Sequence, residues 1–444
     1  MGDANARVCI DFGTALSKAS GFAPEGGSLR QSVRPLPIGE RHGSDNPFLT
    51  PSVVFVDAGR IMFGPSAFAR AKEKLAAGRD PVVSFKSILA ARDVDQALTL
   101  KVKPSIDPTG TLLNRDVFIL YLAYLDQLIR QTIAADPNLP PALADAPRRY
   151  TNSIWRAGNR ADRALARLFD ESAPLSERLG LQLSDAEGVS IAQAKDGLER
   201  ARETPDRGYL EAGVFEAHAA AAAFIAFAPK PPAMLMVVDI GGGTTDIAAF
   251  SLSGDGEDRD LLELEGARQV SSLAGDEIDT ALIELVLRKA RPKDDDHSER
   301  AWRALKLNIR AHKRELFAQG KCTIVFGQKR VSVRRDEFLN DALFKQFCGA
   351  LHDNIAQSLK AALAGHGPGE RTILLAGGGA HLQFVRDIAN AVAERAKGEK
   401  VSVERLGDGW STRLDADPAL ASVLPQTAIS MGGALARLTE ATTA

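Results

Sequence analysis

Asp239-Ile240-Gly241-Gly242-Gly243-Thr244-Thr245-Asp246, in the middle of the chain, decides how this sequence folds, and Ile10-Asp11-Phe12-Gly13-Thr14 near the start answers it. Each glycine hairpin follows an apolar run that predicts a buried strand: Met234-Leu235-Met236-Val237-Val238 and Arg7-Val8-Cys9-Ile10. Each is followed by further strand-like sequence. An Asp at a strand end, then Gly, then a hydroxyl, thus occurs twice on halves of comparable size. Two such loops can grip one phosphate chain from opposite sides, which points to nucleotide binding.

The residue types fit that work. Glycine takes φ > 0 without steric cost and lets the backbone approach a ligand closely. Successive amides in such turns form a nest for anions, and Thr14, Thr244 and Thr245 add hydroxyl donors. Asp11, Asp239 and Asp246 would repel bare phosphate. They make sense with a hydrated Mg2+ between them and the phosphates, held through its waters, because Mg2+ keeps water and accepts oxygen ligands. One of the three can also orient an attacking water. The competing reading is an ordinary tight hairpin, which uses the same Gly and Asp.

At 444 residues the chain is long enough for two domains or lobes, with the apolar and charged fractions of a soluble globular protein. A net charge of −2 supplies no field for nucleic acid or an acidic membrane, so neither partner is expected. Cys9, Cys322 and Cys348 are too scattered for a disulfide framework or a metal knuckle. The first residues carry no apolar signal region, and the longest apolar stretch, Ala219 to Ala228, is too short to span a bilayer. A cytoplasmic protein is expected.

Strand-like and helical stretches alternate along the chain, which makes the expected fold α/β. Residues 7–60 predict strand, turn, strand, loop and strand. Helices are expected from Gly64 to Ala77, Asp116 to Ala134 and Arg156 to Phe169, with a strand from Tyr150 to Trp155 before the last. Residues 171–212 predict an inserted surface helix bounded by Thr204-Pro205-Asp206. Val214 to Phe227 is an alanine-rich helix, whose small side chains permit close helix–helix approach. The second half predicts a helix from Asp276 to Lys289, an acidic loop at Asp294-Asp295-Asp296 and a helix from Glu299 to Phe317. Strands Lys321 to Phe326 and Lys329 to Val333 follow, then one long helix from Asp336 to Ala364. A strand from Thr372 to Leu375 runs into Gly377-Gly378-Gly379 and a helix, and a small-residue helix spans Gln426 to Leu438.

That third glycine run, ending Ala380-His381, can accept a ribose or adenine face and a phosphate at a helix N-terminus. No Gly-Lys-Ser/Thr follows any of the three runs, which excludes a P-loop, and the Gly-x-Gly-x-x-Gly spacing breaks at Leu382. Glu216, at the start of the alanine helix, taken alone does no more than favour the helix dipole. Lys313 and Arg314 alone read as part of a solvated basic face. His218, His312 and His381 have no metal-ligand spacing to one another.

In this order the pieces resemble the nucleotide-binding domain of the seventy-kilodalton heat-shock (DnaK-type) chaperones, within the actin-like ATPase superfamily. Asp11-Phe12-Gly13-Thr14 resembles the family's first phosphate loop and Asp239 to Asp246 its second. Phe215-Glu216-Ala217-His218-Ala219-Ala220-Ala221 resembles the first interlobe helix, and Ala428-Ile429-Ser430-Met431-Gly432-Gly433-Ala434 the second. Gly377-Gly378-Gly379 resembles the adenosine loop, Leu273 to Asp279 the family's Gly-Gly-Glu-Asp-Phe-Asp segment, and Ser84-Phe85-Lys86 its Ser-Phe-Lys. Lys313-Arg314 falls where the family packs a Lys-Arg pair against the adenine side. The resemblance covers nearly the whole chain apart from 171–212 and a divergent stretch near 95–150.

The resemblance implies a duplicated mixed sheet with flanking helices around a central nucleotide cleft. Lobe I would hold 1–228, with the insertion near 171–212; lobe II 233–424; and 425–444 would return to lobe I. Asp239 and Asp246 would hold the Mg2+ waters, Asp11 and Glu216 would complete the polar cluster, and Thr244 would help position the attacking water. Gly13, Thr14, Ala15, Gly241, Gly242, Gly243, Thr244, Thr245, Lys313, Arg314, Gly377, Gly378, Gly379 and His381 would line the ATP. The family's catalytic Lys follows Gly-x-x-Ala, whereas Phe68 follows Gly64-Pro65-Ser66-Ala67 here, with Arg70 and Lys72 out of register. Such a Lys would hold the attacking water and offset charge in the transition state. Ala15 replaces a phosphate-contacting hydroxyl, His381 an Arg over adenine, Phe317 a Ser at the base edge and Gln426 an Asp. The expectation is a chaperone-like ATPase that binds ATP and Mg2+, hydrolyses slowly, switches lobe closure and engages a partner protein. After Leu438 only six residues remain, so no peptide-binding domain is expected. The alternatives are a nucleotide-sensing pseudo-ATPase, an actin-like filament protein or a kinase.

Overall fold

The computed structural model describes residues 6–24, 29–39, 45–152, 159–204, 208–254, 260–291, 295–326, 329–367, 369–396, 399–412, 414 and 417–436. The expected strand end at Trp155, helix start at Arg156, turn at Pro205-Asp206 and residues 437–444 lie outside them, as does Asp294.

Val8, Cys9 and Ile10 are fully buried in β1 (Arg7–Phe12), the pattern of a strand covered on both faces. The first hairpin returns as β2 (Leu16–Phe22) in antiparallel register, Phe12 opposite Ser17 and Asp11 opposite Lys18. The chain continues through α1 (Leu29–Ser32), β3 (Val33–Leu36), β4 (Thr50–Pro51), β5 (Val54–Asp57), β6 (Arg60–Phe63) and α2 (Gly64–Lys74). Next come α3 (Lys86–Leu89), α4 (Val94–Thr99), α5 (Asn114–Ala135), β7 (Arg148–Asn152) and α6 (Arg160–Leu179). Then β8 (Val189–Ser190), α7 (Ile191–Arg202), β9 (Leu210–Phe215) and α8 (Glu216–Phe227) complete the first half. Its main sheet has the order β3-β2-β1-β7-β9, with β4 on β2, and β1, β7 and β9 run parallel.

The second half repeats this plan. It begins with β10 (Met234–Ile240), β11 (Thr245–Ser253), β12 (Asp260–Glu263), β13 (Gln269–Ser271), α9 (Gly275–Ala290) and α10 (Asp295–Gln319). It continues through β14 (Lys321–Phe326), β15 (Lys329–Arg334), α11 (Arg335–Leu339), α12 (Ala342–Ala364), β16 (Arg371–Ala376) and α13 (Gln383–Arg395). It ends in β17 (Val401–Arg405), α14 (Pro418–Ala421) and α15 (Leu424–Leu435). The sheet order β12-β11-β10-β16-β17, with β13 on β11, matches the first sheet strand for strand, including which pairs are parallel. The two-lobed α/β expectation holds, and the duplication extends from the hairpins to both whole sheets.

Each sheet has its own apolar core, and a third apolar cluster lies between them. That third cluster joins Cys9 of β1, Ala219 and Ala220 of α8, Val237 of β10, Leu374 of β16 and Met431 of α15. Helices α8 and α15 cross closely: a Cβ on Gly432 would stand 1.7 Å from the Ala219 carbonyl oxygen, and one on Gly433 2.4 Å from Cys9 Sγ. No side chain fits at either place.

Several expected boundaries move. Val214 and Phe215 belong to β9, pairing with Thr151 and Asn152, so the alanine helix starts only at Glu216. The single helix expected from Asp336 to Ala364 is two, because the Asp341 carboxylate accepts from Leu343 N and caps a fresh start. Asp295 and Asp296 open α10 rather than sit in a loop. The surface helix expected within 171–212 is corrected: α7 buries Ala194, Leu198 and Ala201 in the first core, and residues 210–212 are strand. Among the described residues no helix is long and apolar enough to cross a membrane.

Candidate functional site

The equivalent strands β1 and β10 end at the same place between the sheets, and their hairpins abut. A Cβ on Gly243 would lie 3.1 Å from Thr14 Oγ1, and one on Gly242 3.6 Å from the Ala15 Cβ. Space, not backbone twist, selects most of these glycines. None of Gly13, Gly241, Gly242 and Gly243 is among the positive-φ residues, whereas Gly377 is, at φ 75. At Gly13 a side chain would meet the Leu16 carbonyl oxygen at 2.3 Å. Gly377 combines both demands, since its Cβ would fall 2.2 Å from Asp239 Oδ1.

Behind the hairpins four carboxylates are buried together: Asp11 and Glu216 from the first half, Asp239 and Asp246 from the second. Asp239 and Asp246 are opposite one another across a rung of the β10–β11 hairpin. Two buried lysines face this group. Lys18 Nζ donates to Asp11 Oδ2 at 2.6 Å, and Thr151 Oγ1 donates to Asp11 Oδ1 at 2.9 Å. Lys86 Nζ donates to Glu216 Oε1 at 2.5 Å.

The electrostatics are unbalanced. Burial, then the charges of Glu216 and Asp11, push the Asp239 pKa well above the usual carboxylate range. Burial, then Glu216 and Asp239, do the same to Asp246. Glu216 is also raised by burial, against the pull of Lys86. Burial opposes the charged Lys86 ammonium, but Glu216 and Asp11 outweigh it and raise its pKa. Four carboxylates against two ammoniums leave a deficit of positive charge.

That deficit tests the expected Mg2+. Asp239 Oδ1 and Asp246 Oδ1 are buried with no hydrogen-bond partner among the described residues, and orphaned acceptors of this kind call for an explanation such as an ion or water. Two hard oxygens on adjacent strands, beside the second glycine hairpin, fit a hydrated Mg2+. No group of three or more His, Cys, Asp or Glu among the described residues is placed to hold a metal directly. The fit is therefore to an ion bound through its own waters.

The remaining expected residues divide. Thr244 Oγ1 donates to Asp246 Oδ2 at 3.0 Å and stays with the cluster. The Thr245 hydroxyl is committed to the Leu273 carbonyl and anchors the approach to α9. Gly377 and Gly379 lie against the end of β10, where a Cβ on Gly379 would meet Ile240 Cγ2 at 2.4 Å; Gly378 is exposed. His381 ends the short turn Gly378–His381 and is exposed. Lys313 and Arg314 face different partners. Lys313 is locked onto Asp279 Oδ1 (2.8 Å) and the Gly275 carbonyl (3.0 Å), beside the second hairpin. Arg314 is exposed and lies 3.6 Å from Asp45. Phe317 packs edge-on to Phe338 and against Phe384.

Lys18, Thr151 and Arg310 were missed from sequence. Arg310 Nη2 bonds Asp276 Oδ1 at 2.9 Å and would lie 3.8 Å from a Cβ on Gly242. Lys18 was recoverable: an antiparallel hairpin closed over residues 13–16 places it opposite Asp11. Thr151 and Arg310 carry no local signal, because pairings far apart in the chain bring them in.

Two glycine hairpins on duplicated sheets, a shared buried carboxylate cluster and two crossing helices are compatible with the nucleotide-binding domain of an actin-like ATPase. Within that class the chain matches the Hsp70 family model, Hsp70 protein, over residues 214–402. The match runs from the end of β9 into β17, includes the second hairpin and the third glycine run, and spans less than half of the chain. It supports a chaperone-type ATP-binding protein. No curated protein matches the chain.

Proposed function

We propose that this protein binds Mg-ATP between its two sheets, hydrolyses it slowly and uses the cycle to change lobe closure and engage a partner protein. The observation that carries this reading is the convergence of Asp11 and Glu216 with Asp239 and Asp246, two of whose oxygens have no partner among the described residues. Mg2+ would supply the charge this cluster lacks and tie the phosphates to it. Asp239 and Asp246 would hold its waters. The amides of residues 13–15 and 242–244 would hold the phosphate chain, and Lys18, against Gly13, would neutralise both Asp11 and phosphate. Thr244 would help orient water.

Calorimetric titration with Mg-ATP tests it, comparing wild type with Asp239→Asn. The expected result is saturable heat from the first and its loss in the second; equal, negligible heats from both end the reading. A second reading, a nucleotide-sensing module without turnover, has one observation in its favour: Phe68 fills the expected lysine position and packs into an apolar cluster. Tight ATP binding with phosphate release at background would select it.

A further inference from the structure

Helix α2 supplies no cation to the cluster. Phe68 packs with Val83 and Leu307 against Val53, Phe55, Met62, Ala67 and Ala71. Lys72 Nζ lies over the Phe68 ring, 4.5 Å from its centroid. Arg70 is held by Asp57 Oδ2 at 2.8 Å and Glu73 Oε2 at 2.7 Å, and Lys74 lies 3.7 Å from Asp57.

A lysine reaches the cluster from another element. Lys86 opens the four-residue α3 and is only 5 % exposed. The residues before it fix its direction. Ser84 is a non-glycine residue at φ 58, a left-handed conformation that persists only when its surroundings impose it. Phe85 is buried, stacked on Tyr121 at 4.9 Å and packed against Phe12, the residue after Asp11. The chain is therefore strained at Ser84 and anchored at Phe85, so that the next side chain enters the cleft. There the Lys86 ammonium meets Glu216 and interacts with Asp11 of one hairpin and Asp246 of the other. A buried ion pair is a poor way to gain stability, because an apolar pair of equal volume does as well or better.

We propose that Lys86 is the catalytic cation of this site, taking from α3 the role that Phe68 closes on α2, with Glu216 as the residue that positions it. This rests on the Mg-ATP reading above. In the hydrolysis, the oxygen of water bonds to the γ-phosphorus. The bond from that phosphorus to the β–γ bridging oxygen breaks, its electron pair stays with ADP, and one proton is released. Lys86 keeps its own proton throughout. It donates hydrogen bonds to the attacking water and the γ-oxygens, where negative charge builds up. Lys18 has a different task, since its ammonium is on Asp11, beside Gly13 of the first hairpin.

The test compares wild type, Lys86→Met, Lys86→Arg and Phe68→Lys/Lys86→Met by three measurements: Mg-ADP affinity by calorimetry, tightening of Mg-ADP by aluminium fluoride, and phosphate release. Lys86→Met is expected to bind Mg-ADP within about threefold of wild type, to lose the fluoride-induced tightening and to lower kcat by about 10²–10³ with KM little changed. Lys86→Arg should restore part of the tightening, and Phe68→Lys should restore none. Where Lys86→Met leaves Glu216 too exposed to its own charge for folding, Lys86→Met/Glu216→Gln is compared with Glu216→Gln alone. Unchanged tightening and turnover in the Lys86 variants, or recovery through Phe68→Lys, overturns the assignment while leaving nucleotide binding in place. Absence of Mg-ADP binding by wild type removes the nucleotide reading, and the assignment with it.

Discussion

Asp239 and Asp246 are cross-strand partners on one rung of the β10–β11 hairpin, both buried, each with an Oδ1 that no described group satisfies. Two like charges on one rung repel, and burial amplifies the repulsion. The arrangement weakens the fold unless a cation joins them. Asp246→Asn is therefore expected to stabilise the metal-free protein, by about 1–2 kcal/mol, while abolishing its response to Mg-ATP. Urea unfolding in chelator should show the higher midpoint in the variant. Adding Mg-ATP should raise the midpoint of wild type alone. A variant less stable than wild type in chelator contradicts this account of the pair.

Helix α10 bridges the two halves along one face. Arg303 lies 3.6 Å from Asp80, Arg314 3.6 Å from Asp45, and between them Leu307 packs on the Phe68 cluster. The two ion pairs are long and solvent-accessible, and such pairs contribute little. The half-buried leucine dominates, at about 1 kcal/mol for its apolar contact. Leu307→Ala should accordingly speed release of a fluorescent ATP analogue about fivefold. Arg314→Ala should leave the rate within a factor of two. Stopped-flow displacement measures both, and equal effects from the two variants would reverse the ranking.

How much of this could be read beforehand depended on how local the cause was. The second hairpin was legible because an unbroken apolar run, three glycines and two flanking Asp sit within thirteen residues. The duplicated sheets were legible only through the resemblance, since the residues themselves repeat no more than the hairpin. Glu216 was legible only through resemblance, since its burial comes from β9, and β9 exists because it pairs with β7 some sixty residues earlier. Residues 171–212 misled for the same reason: their Ala and Arg content reads as surface until α7 is packed on α6 and α6 on α5. The adenine-side role of Lys313-Arg314 came only from the resemblance; neighbours on a helix point about 100° apart, and here one faces Asp279 and the other solvent. Lys86 stands out in the sequence only as the end of Ser84-Phe85-Lys86, because nothing there shows that it meets Glu216.

The crossing of α8 and α15 allows no side chain at Gly432, where a Cβ would overlap the Ala219 carbonyl at 1.7 Å. That atom is backbone, so relief requires one helix to move. Both helices border the cluster shared by the sheets. Gly432→Ala is expected to cost about 3 kcal/mol or more, beyond the gain in helix propensity of about 1 kcal/mol. Gly349→Ala, on α12 with open space around its Cβ, should gain stability instead. Denaturant midpoints of the pair separate steric overlap from propensity, since propensity alone would stabilise both.

Away from the cleft, Asp126 of α5 is fully buried between two guanidiniums, Arg130 Nε at 2.6 Å and Arg148 Nε at 3.1 Å. Burial works against its charge, but Arg148 and Arg130 outweigh that and hold its pKa below the usual 3.8. A folded-state pKa below the unfolded one stabilises the fold at pH values above the unfolded pKa. That contribution fades as pH falls through the folded value, here below about 4. Asp126→Asn should cost about 3–5 kcal/mol near neutrality, because it leaves buried Arg148 without its carboxylate. Urea midpoints taken from pH 7 down to 3 should show the gap between wild type and variant constant to about pH 4, then narrowing. Arg148 also donates to the Ala146 and Leu143 carbonyls. Were those carbonyls enough to carry its charge, the gap would be small at every pH, and the carboxylate would be a spectator.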